Sequence, residues 1–264
     1  MSLLGKLKSL VAPGARARDD GTPEPDVPVY VIGDIHGRAD LLDQLLGRIE
    51  ADRQGADTAE DRLVFVGDYI DRGDESAAVL DRVAGLSWDR PDRVVCLMGN
   101  HERMLLDMLD DPATRGGRWL RYGGLQTLAS YQIGGITQSS PPERLEEVAD
   151  ELRRALPDGI EDWLRALPLQ WSSGDLHVCH AAAKPDLAMD DQPDEVLLWG
   201  HPSFLKTARE DGQWVAFGHT IFDAPEVRQR RIAVDTGAYY SGALTAAVIA
   251  PGRAVRFLST GPGG

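Results

Sequence analysis

Three short apolar runs in the first half of the chain predict buried β-strands, and each run ends in polar residues. They occupy residues 29–32, 63–66 and 94–97. Between them, at residues 40–49 and 76–86, apolar side chains recur every three to four positions, which is the period of an amphipathic helix. Because a strand–helix–strand unit needs about 30 residues, this alternation predicts parallel neighbouring strands joined by crossover helices.

A mainly helical pattern follows the third strand and its helix. Residues 142–156 are charged with apolar side chains at helical spacing, and residues 160–167 repeat this pattern over a shorter length. The pairs Gly116-Gly117 and Gly123-Gly124 are expected to interrupt the helices. The pattern therefore predicts a helical insertion at about residues 112–171.

Strand character returns in the last third of the chain. Apolar runs at residues 175–179 and 214–217 are followed by His180 and by Gly218-His219-Thr220, and a further run covers residues 231–237. Two segments predict antiparallel strands that close the chain. These segments are residues 244–249 and 254–258.

The polar residues after the first three strands form three compact motifs. They are Gly33-Asp34-Ile35-His36-Gly37, Gly67-Asp68-Tyr69-Ile70-Asp71-Arg72-Gly73 and Gly99-Asn100-His101-Glu102. The spacing is nearly regular, since 34 residues separate Asp34 from Asp68 and 32 separate Asp68 from Asn100. Because parallel strands end at one edge of a sheet, we expect these side chains to gather there, with the helical insertion covering one side.

The motif residues and the two histidines after the later strands have the chemistry of a metal site. Six of these side chains offer carboxylate, amide or imidazole ligands: Asp34, His36, Asp68, Asn100, His180 and His219. Such a mixed oxygen and nitrogen set suits two divalent ions such as manganese, iron, zinc or nickel. One at a time, an aspartate at a strand end is usually a helix cap and a histidine usually a packed side chain, but so many coinciding motifs favour a site.

The charge of the chain limits its partners. The 264 residues carry a formal net charge of −14, and no basic stretch is long enough to neutralise a run of phosphates. We therefore expect no nucleic-acid partner, and any recognition of phosphate must be local.

The cysteines and the N-terminal segment suggest a cytoplasmic location. Cys96 and Cys179 lie in apolar strand-like runs, which favours buried thiols in a reducing compartment. Residues 1–26 are too short, and too interrupted by Lys6 and Lys8, for a signal core or a membrane span. We expect a mobile arm, with a weak amphipathic anchor as the alternative, followed by one domain at residues 27–264.

The motifs resemble the five-part pattern of the phosphoprotein phosphatase family within the calcineurin-like metallophosphoesterases. Residues 119–131 and 234–238 also resemble the small bacterial and phage members of that family. The resemblance implies an α/β (α+β) fold, in which a central β-sandwich is flanked by helices and carries the helical insertion.

The resemblance also implies a role for each motif residue. Two divalent metal ions, with manganese expected and iron, zinc or nickel as alternatives, would be held by Asp34 and His36 on one side, by Asn100, His180 and His219 on the other, and by Asp68 between them. His101 would be the general acid, fixed by a hydrogen bond to Asp71. Arg72 would clamp the phosphoryl oxygens, with Asn100 as a further phosphate contact, and a bridging hydroxide would attack phosphorus.

One position departs from the family pattern. The family usually has a second phosphate-binding arginine shortly after a tryptophan in this region, whereas here Trp199-Gly200 is followed by His201. A histidine is shorter and lacks the two-pronged guanidinium. Either His201 is a weaker phosphate contact, or Arg72 and the metals hold the phosphate alone, or Arg118 or Arg121 reaches in from the insertion.

Three functions remain open. The first is a serine/threonine protein phosphatase acting on phosphorylated proteins or small phosphoesters, with phosphotyrosine as a further substrate. The second is a symmetrical diadenosine tetraphosphate hydrolase, although those enzymes commonly have Ala in place of Asp71 and Asp in place of Glu102. The third is a catalytically silent binding protein, which the complete ligand set disfavours.

Overall fold

The computed structural model describes residues 21–53 and 60–261. Its elements, in chain order, are β1 Val29–Ile32, α1 Ala39–Arg53, β2 Arg62–Phe65, α2 Ser76–Asp89, β3 Val94–Cys96, α3 Asn100–Asp110, α4 Pro112–Trp119, α5 Leu125–Ser130, α6 Pro142–Ala155, α7 Ile160–Ala166, β4 Gln170–Ser173, β5 Leu176–Cys179, α8 Asp194–Trp199, β6 Trp214–Phe217, β7 Glu226–Arg228, β8 Arg231–Ala233, α9 Ala238–Ser241, β9 Thr245–Ile249 and β10 Arg256–Ser259. A kinked turn, Leu120–Gly124, joins α4 to α5, and a 3₁₀ turn, Met189–Asp191, precedes α8.

The strands of the described residues form two five-stranded sheets. Their orders are β10-β9-β1-β2-β3 and β4-β5-β6-β8-β7. The pairs β1–β2 and β2–β3 are parallel, as the sequence predicts, and β9 pairs antiparallel with both β1 and β10. In the second sheet, β5–β6 and β6–β8 are parallel.

The two sheets pack face to face. Side chains alternate along each strand, so every second residue points into the space between the sheets. Val29 and Val31 of β1 point into a cluster that includes Val178 of β5 and Ile232 of β8. Tyr30, between them, belongs to a larger cluster under the helices of the first half. A run with apolar side chains on both faces is the pattern of a doubly covered strand. The β-sandwich flanked by helices is therefore confirmed.

The helical segment differs from the sequence prediction in one interior detail. Helix α4 runs through Gly116-Gly117 without interruption. The physical reason is close packing, since a Cβ atom at Gly116 would lie 2.9 Å from a methyl carbon of Leu145 in α6. The glycine is thus a helix contact and does not end the helix.

Strand boundaries account for the other differences. Strand β4 begins at Gln170, inside the span predicted to be helical, because it pairs antiparallel with β5. Strand β8 ends at Ala233, although the apolar run continues, and the following residues turn toward the strand ends of β1 and β6. The short edge strand β7 has no clear apolar run and was not predicted.

Most of the expected N-terminal arm, residues 1–20, lies outside the described residues. Its last residues lie against the second sheet, where the backbone N–H of Glu24 donates to Asp175 at 2.7 Å and that of Asp26 to the Ser173 hydroxyl at 2.9 Å. The domain boundary after residue 26 stays a prediction. Within the described ranges, no helix has the length and apolar character needed to cross a membrane.

Candidate metal centre and active site

The predicted ligands meet where five parallel-running strands end. Asp34 and His36 follow β1, Asp68 follows β2, and Asn100 begins α3 directly after β3. The second sheet contributes His180 after β5 and His219 after β6. The sandwich thus brings residues that are far apart in sequence to one edge.

The loops at this edge have unusual backbone conformations. Of the eight non-glycine residues with positive φ in the described ranges, five belong to the predicted site: His36, Asp68, Asp71, Arg72 and His219. Such conformations cost roughly 1–3 kcal/mol each and persist only where the surroundings enforce them. The fold therefore loses some stability in order to hold these side chains in the orientation of the site.

Asp68 lies at the centre of the cluster. Its Oδ2 is 3.4 Å from Nε2 of His36, and its Oδ1 is 3.4 Å from Nε2 of His180. Among the described residues, two groups of side chains bring ligand atoms within 4.8 Å of one another, and Asp68 belongs to both. In one group it lies with His36 and His101, and in the other with His180 and His219. One carboxylate therefore faces two candidate metal positions.

The imidazoles present lone pairs to this carboxylate. Nδ1 of His36 donates to the carbonyl of Ile70 at 2.8 Å, and Nδ1 of His180 donates to the carbonyl of Val66 at 3.0 Å. These bonds fix the tautomers, so that each Nε2 is an acceptor. Nε2 of His36 is fully buried and has no hydrogen-bond partner. Such an orphaned buried acceptor fits a metal ligand.

The second group shows the same conflict between acceptors. Oδ1 of Asn100 is 2.9 Å from Nε2 of His180 and 2.9 Å from Nδ1 of His219. Burial lowers the pKa of His180, and burial together with His180 lowers that of His219 to about 3. Because His180 is then neutral, its Nε2 cannot donate to Asn100. A cation between these atoms would satisfy all of them.

A third carboxylate lies beside Asp34. The Asp34 oxygens accept the backbone N–H of His219 at 3.0 and 3.2 Å, and Asp235 accepts the N–H of Gly237 at 2.8 Å. Burial, Asp235 and Asp68 raise the pKa of Asp34 well above its usual value, and burial raises that of Asp235 to about 6. This concentration of buried negative charge also fits divalent cations.

Glu102 holds two of the site loops together. Its buried carboxylate accepts backbone N–H groups of Asp68 and Tyr69 at 2.8 Å and of Gly99 at 2.9 Å. Burial and the nearby Asp68 raise its pKa to about 8, against the effect of these donors. At Gly99 a Cβ atom would approach Oδ1 of Asp68 to 2.2 Å, so glycine is required there.

His101 lies between the carboxylate of Asp71 and the guanidinium of Arg72. Its Nδ1 donates to Oδ2 of Asp71 at 2.6 Å, and Nη2 of Arg72 donates to its Nε2 at 3.0 Å. Burial opposes the charged form of His101, but Asp68 and the hydrogen bond to Asp71 outweigh it and raise its pKa. The guanidinium of Arg72 also lies 5.0 Å from the ring of Tyr239, at the mouth of the site.

His201 has a different environment from the other predicted site residues. Its Nδ1 hydrogen-bonds the hydroxyl of Ser203 at 2.7 Å, and it lines a cavity of about 800 Å³ that contains none of the six candidate metal ligands. Arg118 stacks on Trp199, with its guanidinium 4.4 Å from the ring centre. The phosphate contact expected of His201 stays a prediction.

Several residues that complete the site were not assigned to it from the sequence. Asp235 is one, although it stands in the segment 234–238 that resembles other family members. Trp119 and Thr127 are two more, since both hydrogen-bond Asp71. Both stand in the segment 119–131, which resembles other family members, but that resemblance does not indicate their partner, because the contacts join the helical insertion to a loop about 50 residues away.

Comparison with known proteins agrees with this geometry. The family model of the calcineurin-like phosphoesterases matches residues 27–222. Serine/threonine-protein phosphatase 2 of Salmonella typhimurium is 30% identical over 226 residues, covering 82% of this chain and 90% of the relative. The asymmetrical bis(5'-nucleosyl)-tetraphosphatase PrpE of Bacillus velezensis is 30% identical over 232 residues, covering 81% and 86%.

A solved structure shares the fold. The cold-active protein-tyrosine phosphatase of a Shewanella species superposes with a TM-score of 0.55 at 19% identity, covering 92% of this chain and 85% of that one.

Proposed function

Because the chain belongs to the calcineurin-like phosphoesterase family, we propose that it is a phosphomonoesterase that uses two divalent cations and acts preferentially on proteins phosphorylated on serine or threonine. The observation that carries the proposal is the fully buried pair of Asp71 and His101, joined at 2.6 Å. Such a pair can deliver a proton to a poor leaving group, which an alkyl phosphoester requires.

The cations would be held by two sets of ligands that share Asp68. We assign Asp34, His36 and Asp68 to one cation, and Asp68, Asn100, His180 and His219 to the other. The orphaned Nε2 of His36, and Nε2 of His180 facing Oδ1 of Asn100 without a donor between them, support this assignment. Mn²⁺ is the proposed ion, with iron, zinc or nickel as alternatives. When bound, the two cations would act as Lewis acids and supply a water-derived nucleophile at neutral pH.

The protein's own groups would then bind the substrate and move one proton. Arg72 would hold the phosphoryl oxygens with its two-pronged guanidinium, and Asn100 and His201 are proposed as further phosphate contacts. Once substrate has displaced Arg72 from Nε2 of His101, the raised pKa of this imidazole favours uptake of a proton from solvent at Nε2. The imidazolium would then transfer that proton to the leaving oxygen and return to the neutral form. Asp71 would keep the imidazole in the orientation and tautomer that this transfer needs.

The second candidate is a symmetrical diadenosine tetraphosphate hydrolase. It is supported by two relatives that are named symmetrical bis(5'-nucleosyl)-tetraphosphatase and are 27% and 31% identical to this chain. The half-exposed ring of Tyr240, which packs at 5.1 Å against Tyr239 beside Arg72, could also stack a nucleobase. One argument opposes it. A polyphosphate leaving group needs no proton, so the reaction would not require the buried pair of Asp71 and His101 as a proton donor.

The two candidates differ in relative rates on defined substrates. With Mn²⁺ added, we expect kcat/KM on a phosphoserine peptide and on p-nitrophenyl phosphate to exceed that on diadenosine tetraphosphate. A preference for the dinucleotide would overturn the protein-phosphatase assignment in favour of the second candidate. No hydrolysis of any of the three, with metal binding verified, would overturn the proposal of a phosphoesterase. The buried free thiols Cys96 and Cys179 support the further proposal that the protein acts in the reducing cytoplasm.

A further inference from the structure

The carboxylate of Asp71 receives hydrogen bonds from three side chains. Besides His101, Oδ1 of Asp71 accepts the hydroxyl of Thr127 at 2.6 Å, and Nε1 of Trp119 lies 3.0 and 3.1 Å from the two oxygens. All four side chains are 0% exposed. Because no water reaches the carboxylate, these bonds alone set its position and satisfy its acceptors.

Trp119 and Thr127 belong to the helical segment, and its backbone is shaped to reach Asp71. The kink between α4 and α5 contains Gly123, whose φ is +123°. A Cβ atom there would lie 2.7 Å from the backbone nitrogen of Arg72, and one at Gly124 would lie 2.5 Å from the ring of Trp119. Glycine at both positions therefore lets the segment approach Arg72 and pack against Trp119.

The same segment also contacts the main chain on both sides of the carboxylate. The backbone N–H of Asp71 donates to the Thr127 hydroxyl at 2.9 Å, and that of Arg72 points to the carbonyl of Gly123 at 3.5 Å. Asp71 and Arg72 are both in the left-handed region, so the loop needs such support. The segment thus holds the loop as well as its carboxylate.

From these contacts we propose that Trp119 and Thr127 are positioning residues of the reaction, which orient Asp71 and, through it, the proton-donating imidazole of His101. The helical segment is therefore part of the proton-transfer apparatus. This inference rests on the proposed function, since it assigns a role to residues around the same site. Misplacing such an apparatus by a fraction of an ångström is enough to slow catalysis substantially.

The inference is specific to proton donation, so its effect depends on the leaving group. Thr127→Val removes the hydroxyl at nearly constant volume, and Trp119→Phe removes the indole N–H. We expect each to lower kcat/KM on a phosphoserine peptide by about 10- to 100-fold, the usual effect of losing a group that orients a catalytic residue. On p-nitrophenyl phosphate, whose leaving group needs little protonation, we expect losses below about threefold.

Three further variants distinguish a positioning role of Thr127 and Trp119 from a general loss of structure. Thr127→Ser keeps the hydroxyl and should restore most of the activity on the peptide. Trp163→Phe removes an indole N–H that donates to Ser87 at 2.9 Å, away from Asp71, and should leave the ratio of the two substrates unchanged. In a His101→Asn background, Thr127→Val should cause no further loss on the peptide, because residues that act through one another are not additive.

The outcomes are distinct. If the wild type hydrolyses neither substrate, the proposed function fails. If the wild type is active but Thr127→Val slows both substrates equally, or slows the His101→Asn variant as much as the wild type, the hydroxyl has only a structural role and the inference is overturned. Should Trp119→Phe fail to fold, the Thr127 variants decide alone.

Discussion

Replacing Asp68 by asparagine should stabilise the metal-free protein while it abolishes stabilisation by metal. In the metal-free protein, Oδ2 of Asp68 faces the orphaned Nε2 of His36 at 3.4 Å, and its Oδ1 accepts the backbone N–H of His101 at 3.0 Å. An asparagine amide can keep the oxygen at the Oδ1 position and place its NH₂ group at the Oδ2 position. The Asp68→Asn side chain would then donate the hydrogen bond that His36 lacks.

The sign of the effect follows from the surrounding charges. Burial lowers the pKa of His36, so at pH 8 its ring is neutral and accepts a hydrogen bond. The Asp68 carboxylate is also one cause of the raised pKa values of Asp34, Glu102 and Asp235, so its removal relieves repulsion. Burial opposes the charged form of Asp68, whereas charged histidines around it would lower its pKa, but the pKa values of His36, His180 and His219 are lowered, so these rings are neutral at pH 8. Attraction to His101 is the part of this effect that opposes the stabilisation. Satisfying one buried acceptor is worth about 1–3 kcal/mol, which for a domain of this size raises Tm by roughly 2–12 °C.

The metal-bound state should respond in the opposite direction. A cation at 100 times its dissociation constant stabilises the wild type by about 2.7 kcal/mol per site, or roughly 5–11 °C. The Asp68→Asn variant loses one shared anionic ligand and should show little of this shift.

Thermal melts at pH 8, with and without Mn²⁺ and with metal content checked by elemental analysis, test both signs. Asp92→Asn, at an exposed position in the turn between α2 and β3, is the control and should change neither melt. If metal-free Asp68→Asn melts at or below the metal-free wild type, the conclusion that unpaired acceptors crowd this site is refuted.

Three further predictions concern the same site. The His101→Asn variant should bind both cations yet lose about 10²- to 10⁴-fold in kcat/KM on a phosphoserine peptide, and much less on p-nitrophenyl phosphate; equal losses would remove His101 from the acid role. The pKa of Asp34 is raised well above its usual value and that of Asp235 is raised to about 6, so both carboxyl groups should release protons when Mn²⁺ binds. Calorimetry at pH 6 in buffers of different ionisation enthalpy should record fewer released protons for Asp235→Asn, and an unchanged count would contradict this origin. If His201 contacts phosphate, His201→Arg should lower KM through a two-pronged contact; changes in kcat/KM below about twofold, roughly 0.4 kcal/mol, for both His201→Arg and His201→Ala would exclude it.

The sequence predicts the first half of the fold well because its information is local there. Strands β1, β2 and β3 are buried on both faces and read as continuous apolar runs, and the motifs after them mark where they end. The pairing of β1 with β2 and of β2 with β3 follows from the crossover helices between them. The same local pattern is enough to predict that Asp34, Asp68 and Asn100 lie at one edge of a sheet.

Contacts that cross the chain could not be predicted in this way. Gly116 was expected to break a helix, because glycine disfavours helices on its own, and only the packing of Leu145 against it explains why the helix continues. Asp235 stands after an ordinary apolar run, and its role emerges only when β8 brings it beside Asp34. Local propensity carries no information about such partners.

The balance of charge in the site explains why the backbone contributes so much to it. Asp34, Asp68, Glu102 and Asp235 are all at most 3% exposed, and burying ionised carboxylates without partners is costly. Backbone N–H groups offset part of this cost at Glu102 and, through His219 and Gly237, at Asp34 and Asp235. The Oδ2 atom of Asp68 faces imidazole nitrogens, one of them the orphaned acceptor of His36. The backbone bonds offset only part of the cost, since the pKa values of Asp34, Glu102 and Asp235 remain raised. A cation beside Asp68 would offset more of it, so metal binding and the stability of the site loops are coupled.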